Sequence, residues 1–409
     1  MDKGGTIPAF AYLLFAAIIF YGLFGSPTPD DPGLVEAIVG ILLVLSVIAG
    51  GFGRALRFTL GQTIFLKCLQ VFFLCGLVLP TLSGAYFGND HGLIVRDLLA
   101  FAFLGLPLFL AERFDGQPRA SDVFSWLLVF AGMAFAVRTL LPVFKLWRAP
   151  DELLYLSNSP LTLFAAVLLA GMLWSNLLPL TQKSMLRMAG AGAMLAVILA
   201  AMLLDVQRAT IGAVFVTIYA LAIVDFVRAP KRAALPLLVL LIGTVIVFPL
   251  IGGALQAMAD KTAAVGLNAR VAEAQAVVSA LSANPVTFFT GHGWGSTFSS
   301  PAVGGLEVNY THSFLTTLLL KGGLILLALG LVTIVAAFYE ILFILKKNAA
   351  QGMALAWTIA IPVFLYASHK SLDFGLALLL LGVWSIRARG QADPVSIIPR
   401  SAGVDTAEK

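Results

Sequence analysis

Apolar residues run along this chain in long, continuous stretches, with short polar clusters between them. Twelve stretches stand out, at 7–25, 34–52, 60–82, 93–111, 122–144, 160–178, 185–204, 209–227, 233–253, 312–341, 352–368 and 371–387. A helix crossing a bilayer needs about 20 such residues. The strands of an outer-membrane barrel alternate apolar and polar positions over about 10 residues instead, and that alternation is missing. The pattern therefore predicts an all-α, polytopic membrane protein of about twelve transmembrane helices. The first run, Ala9–Phe24, follows Lys3 and is not succeeded by a small-residue cleavage motif, so it reads as a retained span.

One polar interval is far longer than the rest. Residues 254–311 are expected to form a single large loop on one side of the membrane. Asn268 is placed to cap a helix there, and Val271, Ala274, Val278 and Leu281 recur at helical spacing. Pro285 is expected to stop that helix, and a glycine-rich stretch, Thr290 to Thr297, follows. The chain divides into spans one to nine (1–253), the loop (254–311), spans ten to twelve (312–387) and a tail (388–409) expected to be disordered.

Composition sharpens this picture. The chain is 60% hydrophobic and 11% charged, against about 25% charged in a soluble domain, which excludes a soluble enzyme and a soluble nucleic-acid-binding protein. The formal net charge of +5 is mostly topology. With the N-terminus inside, every short inner loop carries at least two basic residues, such as Arg54 and Arg57, Arg113 and Arg119, and Lys346 and Lys347. The outer loops hold acids such as Asp30, Asp31 and Asp90. Cys68 and Cys75 share one predicted span, too far apart along it to bridge.

The remaining basic residues, and all four histidines, map almost entirely to the outer half. They suggest an outward cavity lined by cations and suited to an anionic substrate. Arg138, Lys321, His369 and Lys370 are candidate lining residues. Arg208 follows a tight turn, Asp205-Val206-Gln207, and opens the next helix. The positive end of a helix dipole disfavours a cation unless an anion is near. That anion is either Asp205 or a phosphate ligand. Arg270 repeats the argument in the first turn of the outer helix, where Glu273 is the local alternative partner. His312 is expected to open span ten, where the dipole favours a neutral ring able to act as a general base; a polar interfacial anchor is the other reading. Lys321 lies deep in that span, serving the cavity or pairing with a carboxylate such as Asp97 or Asp373. Gly322-Gly323 after it implies close packing or a bend. Gly291, Gly293 and Gly295 could form a nest of N–H donors for an anion or simply a flexible loop.

No zinc, Walker or dinucleotide motif occurs, and no metal or cofactor is expected. The order of elements does resemble a known family. An outer Arg between two spans (Arg208), an Arg opening an outer helix (Arg270), a Pro-x5-Gly-x-Gly-x-Gly-x2-Phe loop (Pro285 to Phe298), and His-x2-Leu with a Gly eleven residues after the His (His312, Leu315, Gly323) are similar to the O-antigen ligase and O-antigen polymerase superfamily. The match spans roughly spans seven to ten. Ser313 stands where the family often has Asn, and Lys321 where an acid is common.

The resemblance implies a type C glycosyltransferase-like fold in the bacterial inner membrane, with both termini cytoplasmic and the site periplasmic. It implies transfer of a glycan from undecaprenyl pyrophosphate, without metal or nucleotide and with inversion, to a glycan or a lipid A core acceptor. Arg208 and Arg270 would bind the pyrophosphate, with Gly291, Gly293 and Gly295, and His312 would be the base. Membrane lipids are the remaining partners, and no nucleic acid is expected. A transporter or flippase of an anionic lipid-linked glycan also wants a cationic cavity, although the inverted repeat common in transporters is not evident. A structural assembly factor is the third class, distinguished by indifference to loss of Arg208.

Overall fold

The computed structural model describes residues 7–27, 33–51, 63–143, 156–177, 182–250, 252, 256, 268–364 and 371–390. The long helices are α1 (Ala9–Phe24), α2 (Leu34–Gly50), α3 (Ile64–Tyr86), α4 (His91–Ala102), α6 (Pro118–Leu140), α7 (Pro160–Leu177), α8 (Gln182–Leu204), α9 (Arg208–Arg228) and α10 (Pro230–Leu250). Short α5 (Leu106–Leu110) continues the line of α4. The outer segment contains α11 (Asn268–Ser282), α12 (Pro285–Thr290) and a two-stranded antiparallel ribbon of β1 (Phe298–Ser300) and β2 (Leu306–Val308). Then come α13 (Phe314–Lys347), α14 (Ala349–Phe364) and α15 (Leu372–Gly390).

This is an all-α architecture of the polytopic membrane type. Among the described residues, seven helical segments are long and apolar enough to cross a bilayer: Ile64–Tyr86, His91–Phe114, Pro118–Leu140, Pro160–Leu177, Ser184–Leu204, Arg208–Arg228 and Phe314–Lys347. Each predicted apolar stretch falls on a helix, but several boundaries differ. The fourth begins earlier, at His91, and is broken by 3-10 turns on either side of Leu106–Leu110. Pro285 does not merely end a helix. It sits in the first turn of α12, where a missing N–H costs nothing. The ribbon was not predicted at all. Ala388–Gly390, placed in the tail, continue α15, and the tail from 391 onward lies outside the described residues.

Helix α7 is the central post, buried along most of its length and packed against α6, α8, α9 and α14. Large apolar side chains are exposed on the outward faces, including Ile41, Val216, Val239 and Val335. Such a surface suits lipid and not water. The basic ends gather at one end of the bundle. Arg389 grips buried Glu340 with two nitrogens, at 2.6 and 3.1 Å, and Arg387 pairs with Asp122 at 2.6 Å.

At the opposite end the glycine-rich loop plugs into α3, α4 and α13. Pro80 lacks the N–H that would otherwise bond the Gly76 carbonyl four residues back. Trp294 supplies the missing donor, its indole Nε1 reaching Gly76 O at 3.0 Å, while its backbone N–H donates to Pro80 O at 2.9 Å. Gly293 (φ +82°) approaches α3 so closely that a Cβ there would lie 2.0 Å from the Gly84 nitrogen. Gly323 (φ +62°, ψ −161°) breaks α13 into two helices, and a Cβ there would meet the Phe289 carbonyl at 2.4 Å. Both roles anticipated for Gly322-Gly323, the bend and the close contact, occur together.

Lys321 completes the plug. Its Nζ lies 2.8 Å from Asp97 Oδ2 and donates to Ser296 O at 2.7 Å, and the same Asp97 oxygen accepts the Gly295 N–H at 2.9 Å. Both side chains are sealed from solvent. Removing one member of a buried pair strands the other charge. Lys321→Met is therefore expected to destabilise the protein by about 3–5 kcal/mol, and adding Asp97→Asn should recover much of the loss. Thermal unfolding of the single and double variants in detergent measures both effects.

Candidate functional site

The outer segment delivers a carboxylate, Glu273, to a histidine, His312, and an arginine, Arg270, to within electrostatic reach of Arg208 at the start of α9. Helix α13 starts two residues later than His312, at Phe314. Ser313 is its N-cap, accepting the Thr316 N–H, so His312 precedes the helix and does not open it. Thr311 is buried, and its hydroxyl contacts Thr316 Oγ1 at 2.6 Å and Thr317 Oγ1 at 2.8 Å. This fixes the backbone that carries His312.

The ring is oriented by Glu273, a residue singled out earlier only as a local partner for Arg270. Glu273 Oε1 lies 3.0 Å from His312 Nδ1, and Oε2 accepts the His312 backbone N–H at 2.8 Å. The Ser300 hydroxyl of β1 donates to Oε1 at 2.8 Å. Glu273 is buried and His312 is one-third exposed. With Nδ1–H given to the carboxylate, Nε2 carries the lone pair, the arrangement of a general base held by an acid. A carboxylate is therefore what positions the ring.

Burial pushes the Glu273 carboxyl up, but the His312 side chain, the His312 backbone N–H and the Ser300 hydroxyl together outweigh it and hold the group below its ordinary range. The expected local partnership with Arg270 persists as charge attraction, while both Glu273 oxygens make hydrogen bonds elsewhere.

Arg270 is half-buried in the first turn of α11. Its affinity for a proton is lowered first by desolvation; the charge of Glu273 opposes this, and the charge of Arg208 adds to it. The two guanidinium groups thus lie within electrostatic reach of each other, although 62 residues separate them in sequence (270 − 208). Arg208 is exposed at the first residue of α9. The turn before it is strained. Val206 has φ +53°, and among the described residues it is the one non-glycine with positive φ, an outlier for a β-branched side chain. Gln207 follows in an inverse γ conformation, with Arg208 N donating to Val206 O at 3.2 Å. Ser157 bonds to both Asp205 and Gln207 and holds the turn.

The structure thus joins His312 to Glu273 by hydrogen bonds and sets Arg270 within electrostatic reach of both Glu273 and Arg208. It does not place the other candidates with them as expected. Lys321 is fully buried on Asp97 and does not line a cavity. Arg138 donates to Gly22 O at 3.1 Å and Gly25 O at 2.7 Å, capping the C-terminus of α1. The amides of the glycine loop are spent internally. Gly291 N bonds Thr287 O, Gly293 N bonds Lys321 O, and Gly295 N bonds Asp97, so these glycines serve docking and form no nest for an anion. His369 and Lys370 lie outside the described residues. No cluster of His, Cys, Asp or Glu suited to a metal ion occurs among the described residues.

Because Glu273 is held below its ordinary value, its contribution to the folded site is complete above the unfolded glutamate pKa of about 4.3. It is lost as the pH falls through the lower folded value. Hydrogen exchange should show the His312 amide protected at neutral pH, with its protection factor dropping below about pH 4. In Glu273→Gln that protection should not change with pH. No family model and no curated protein matches the chain.

Proposed function

We propose that this chain is a glycosyltransferase that moves a glycan from undecaprenyl pyrophosphate to an acceptor sugar hydroxyl at the periplasmic face of a bacterial inner membrane. In this reading it acts as an O-antigen ligase or polymerase, with twelve spans, both termini cytoplasmic and a type C-like fold. The observation that carries the reading is the Glu273–His312 pair beside Arg208 and Arg270. A base oriented by a buried acid, next to two clustered guanidinium groups, suits attack by a hydroxyl on a carbon bearing a diphosphate.

In the proposed step the acceptor oxygen attacks the anomeric carbon from the face opposite the pyrophosphate. Its proton passes to His312 Nε2, and Glu273 stabilises the resulting imidazolium. The bond from the anomeric carbon to the pyrophosphate oxygen breaks, and the lipid diphosphate leaves as an anion with its charge held by Arg208 and Arg270. A planar guanidinium matches phosphate oxygens bidentately. Configuration inverts, and the leaving group needs no acid.

Reconstitution with a lipid-linked oligosaccharide and each acceptor in turn, without nucleotide or divalent ion, tests the reading. A longer lipid-linked chain identifies a polymerase, and a modified lipid A core identifies a ligase. Transbilayer movement of the donor without product would replace the proposal with a flippase.

Within the transferase reading, His312→Gln should lower turnover by about 10²–10⁴ while donor binding survives. Glu273→Gln should lower turnover in the same direction by less. Arg208→Lys should weaken donor use because the bidentate contact is lost. Unchanged turnover in Arg208→Lys removes that residue from the site.

A further inference from the structure

The outward face of α11 and α12 has a composition unusual for an exposed surface. Between Val271 and Phe298 the chain contains a single charged residue, Glu273, and it is buried against His312 and Ser300. Val271, Val278, Val286 and Phe289 are instead exposed, at 56%, 43%, 59% and 50%. A helix facing water normally carries charges on its outer face. This one offers valine and phenylalanine between Gln275, Ser279 and Ser282.

Three spans set the height of this face. Helix α9 has 21 residues, about 31 Å at 1.5 Å per residue, which matches a hydrocarbon core of about 30 Å. Its basic end, Arg228, lies at one boundary, so Arg208 lies at the other. Arg270, which opens α11, is within electrostatic reach of Arg208. On α3, Gly84 is about 30 Å from Ile64, and the loop after α12 docks on Gly84. On α13, Gly323 is about 35 Å from Lys346, and the Phe289 backbone packs on Gly323. All three counts put both ends of the α11–α12 hairpin at the same outer boundary. Tyr86 and Phe87, at the end of α3, are exposed at that level, where aromatic side chains favour the membrane interface.

We infer that the α11–α12 hairpin lies in the outer-leaflet interface, with Val271, Val278, Val286 and Phe289 inserted among phospholipid acyl chains. The occupant of this face is lipid. The inference rests on α3, α9 and α13 crossing a bilayer and not on the chemistry proposed above. Its consequence is that Arg270 and Glu273, the carboxylate that holds His312, are carried on an element anchored at the level of lipid headgroups.

Nitroxide labelling in phospholipid vesicles tests it. Val278→Cys and Val286→Cys are made in a Cys68→Ala, Cys75→Ala background, and collision with oxygen is compared with collision with a water-soluble nickel chelate. Val216→Cys, exposed on α9, reports a lipid-facing position, and Glu307→Cys, exposed on β2, reports water. The oxygen-to-chelate ratio at 278 and 286 is expected to be severalfold above that at 307 and to approach that at 216. A chelate collision rate equal to that at 307 overturns the inference. So does protection from both reagents, which would mean that protein covers the face. A water-like ratio at 216 would instead fault the spanning frame itself.

Discussion

The geometry of the outer half descends from one sealed contact, the Lys321–Asp97 pair. Both charges sit where water does not reach, so neither can be left alone. Each also bonds the glycine-rich loop, Lys321 donating to Ser296 O and Asp97 accepting the Gly295 N–H. The ion pair therefore joins α4 to α13 only when the loop is threaded between them. Once the loop is fixed, β1 follows it, and Ser300 on β1 is delivered to Glu273. Glu273 in turn holds His312 by ring and by backbone. A charge pair that touches no substrate in the proposed reading thus decides where the base stands.

Much of the helical frame was legible in the sequence because a bilayer imposes a coarse and strict rule: long apolar runs bounded by charge. Arg208 and Arg270 stand out in the sequence because a cation in the first turn of a helix runs against its dipole, whereas His312 stands out at a helix start that the structure puts two residues later, at Phe314. The structure explains why other readings failed. Glu273 three residues after Arg270 satisfies the usual local pairing rule, and nothing in a linear sequence announces that a partner 39 residues away (312 − 273) will take both oxygens. One signal did exist. Glu273 is the one charge in a stretch of otherwise uncharged residues, and an isolated acid in an apolar segment seldom remains without a dedicated partner.

The glycine loop misled for a related reason. Three glycines at alternate positions resemble an anion cradle, but the same φ freedom serves close backbone packing. Which use applies depends on where the amides point. Here they point at Thr287, Lys321 and Asp97, on two neighbouring helices and across the bundle. Lys321 follows the second of its two readings, the pairing with Asp97, and Arg138 spends its guanidinium on carbonyl oxygens inside the protein. A basic residue in a membrane protein is functional or structural according to its partner, and sequence supplies the residue without the partner.

Three unfavourable terms meet at the arginine cluster. Val206 is held in a backbone region that costs about 1–3 kcal/mol for a residue of its kind. Arg208 stands at the positive end of α9, against a dipole worth about 0.3–1 kcal/mol at a surface. Arg270 is partly desolvated and repelled by Arg208, and the opposing charge of Glu273 acts on it while the Glu273 oxygens make their hydrogen bonds to His312 and Ser300. A fold with no use for this arrangement could relax each term separately, with glycine at 206, a neutral residue at 208 or an exposed position for 270. Arg208 has other partners within the protein, so in the proposed reading a doubly charged ligand adds to those contacts, and the strained turn fixes the direction from which Arg208 meets it. The same ligand would leave the backbone strain in place, so the turn would stay set in the empty site and the occupied one alike.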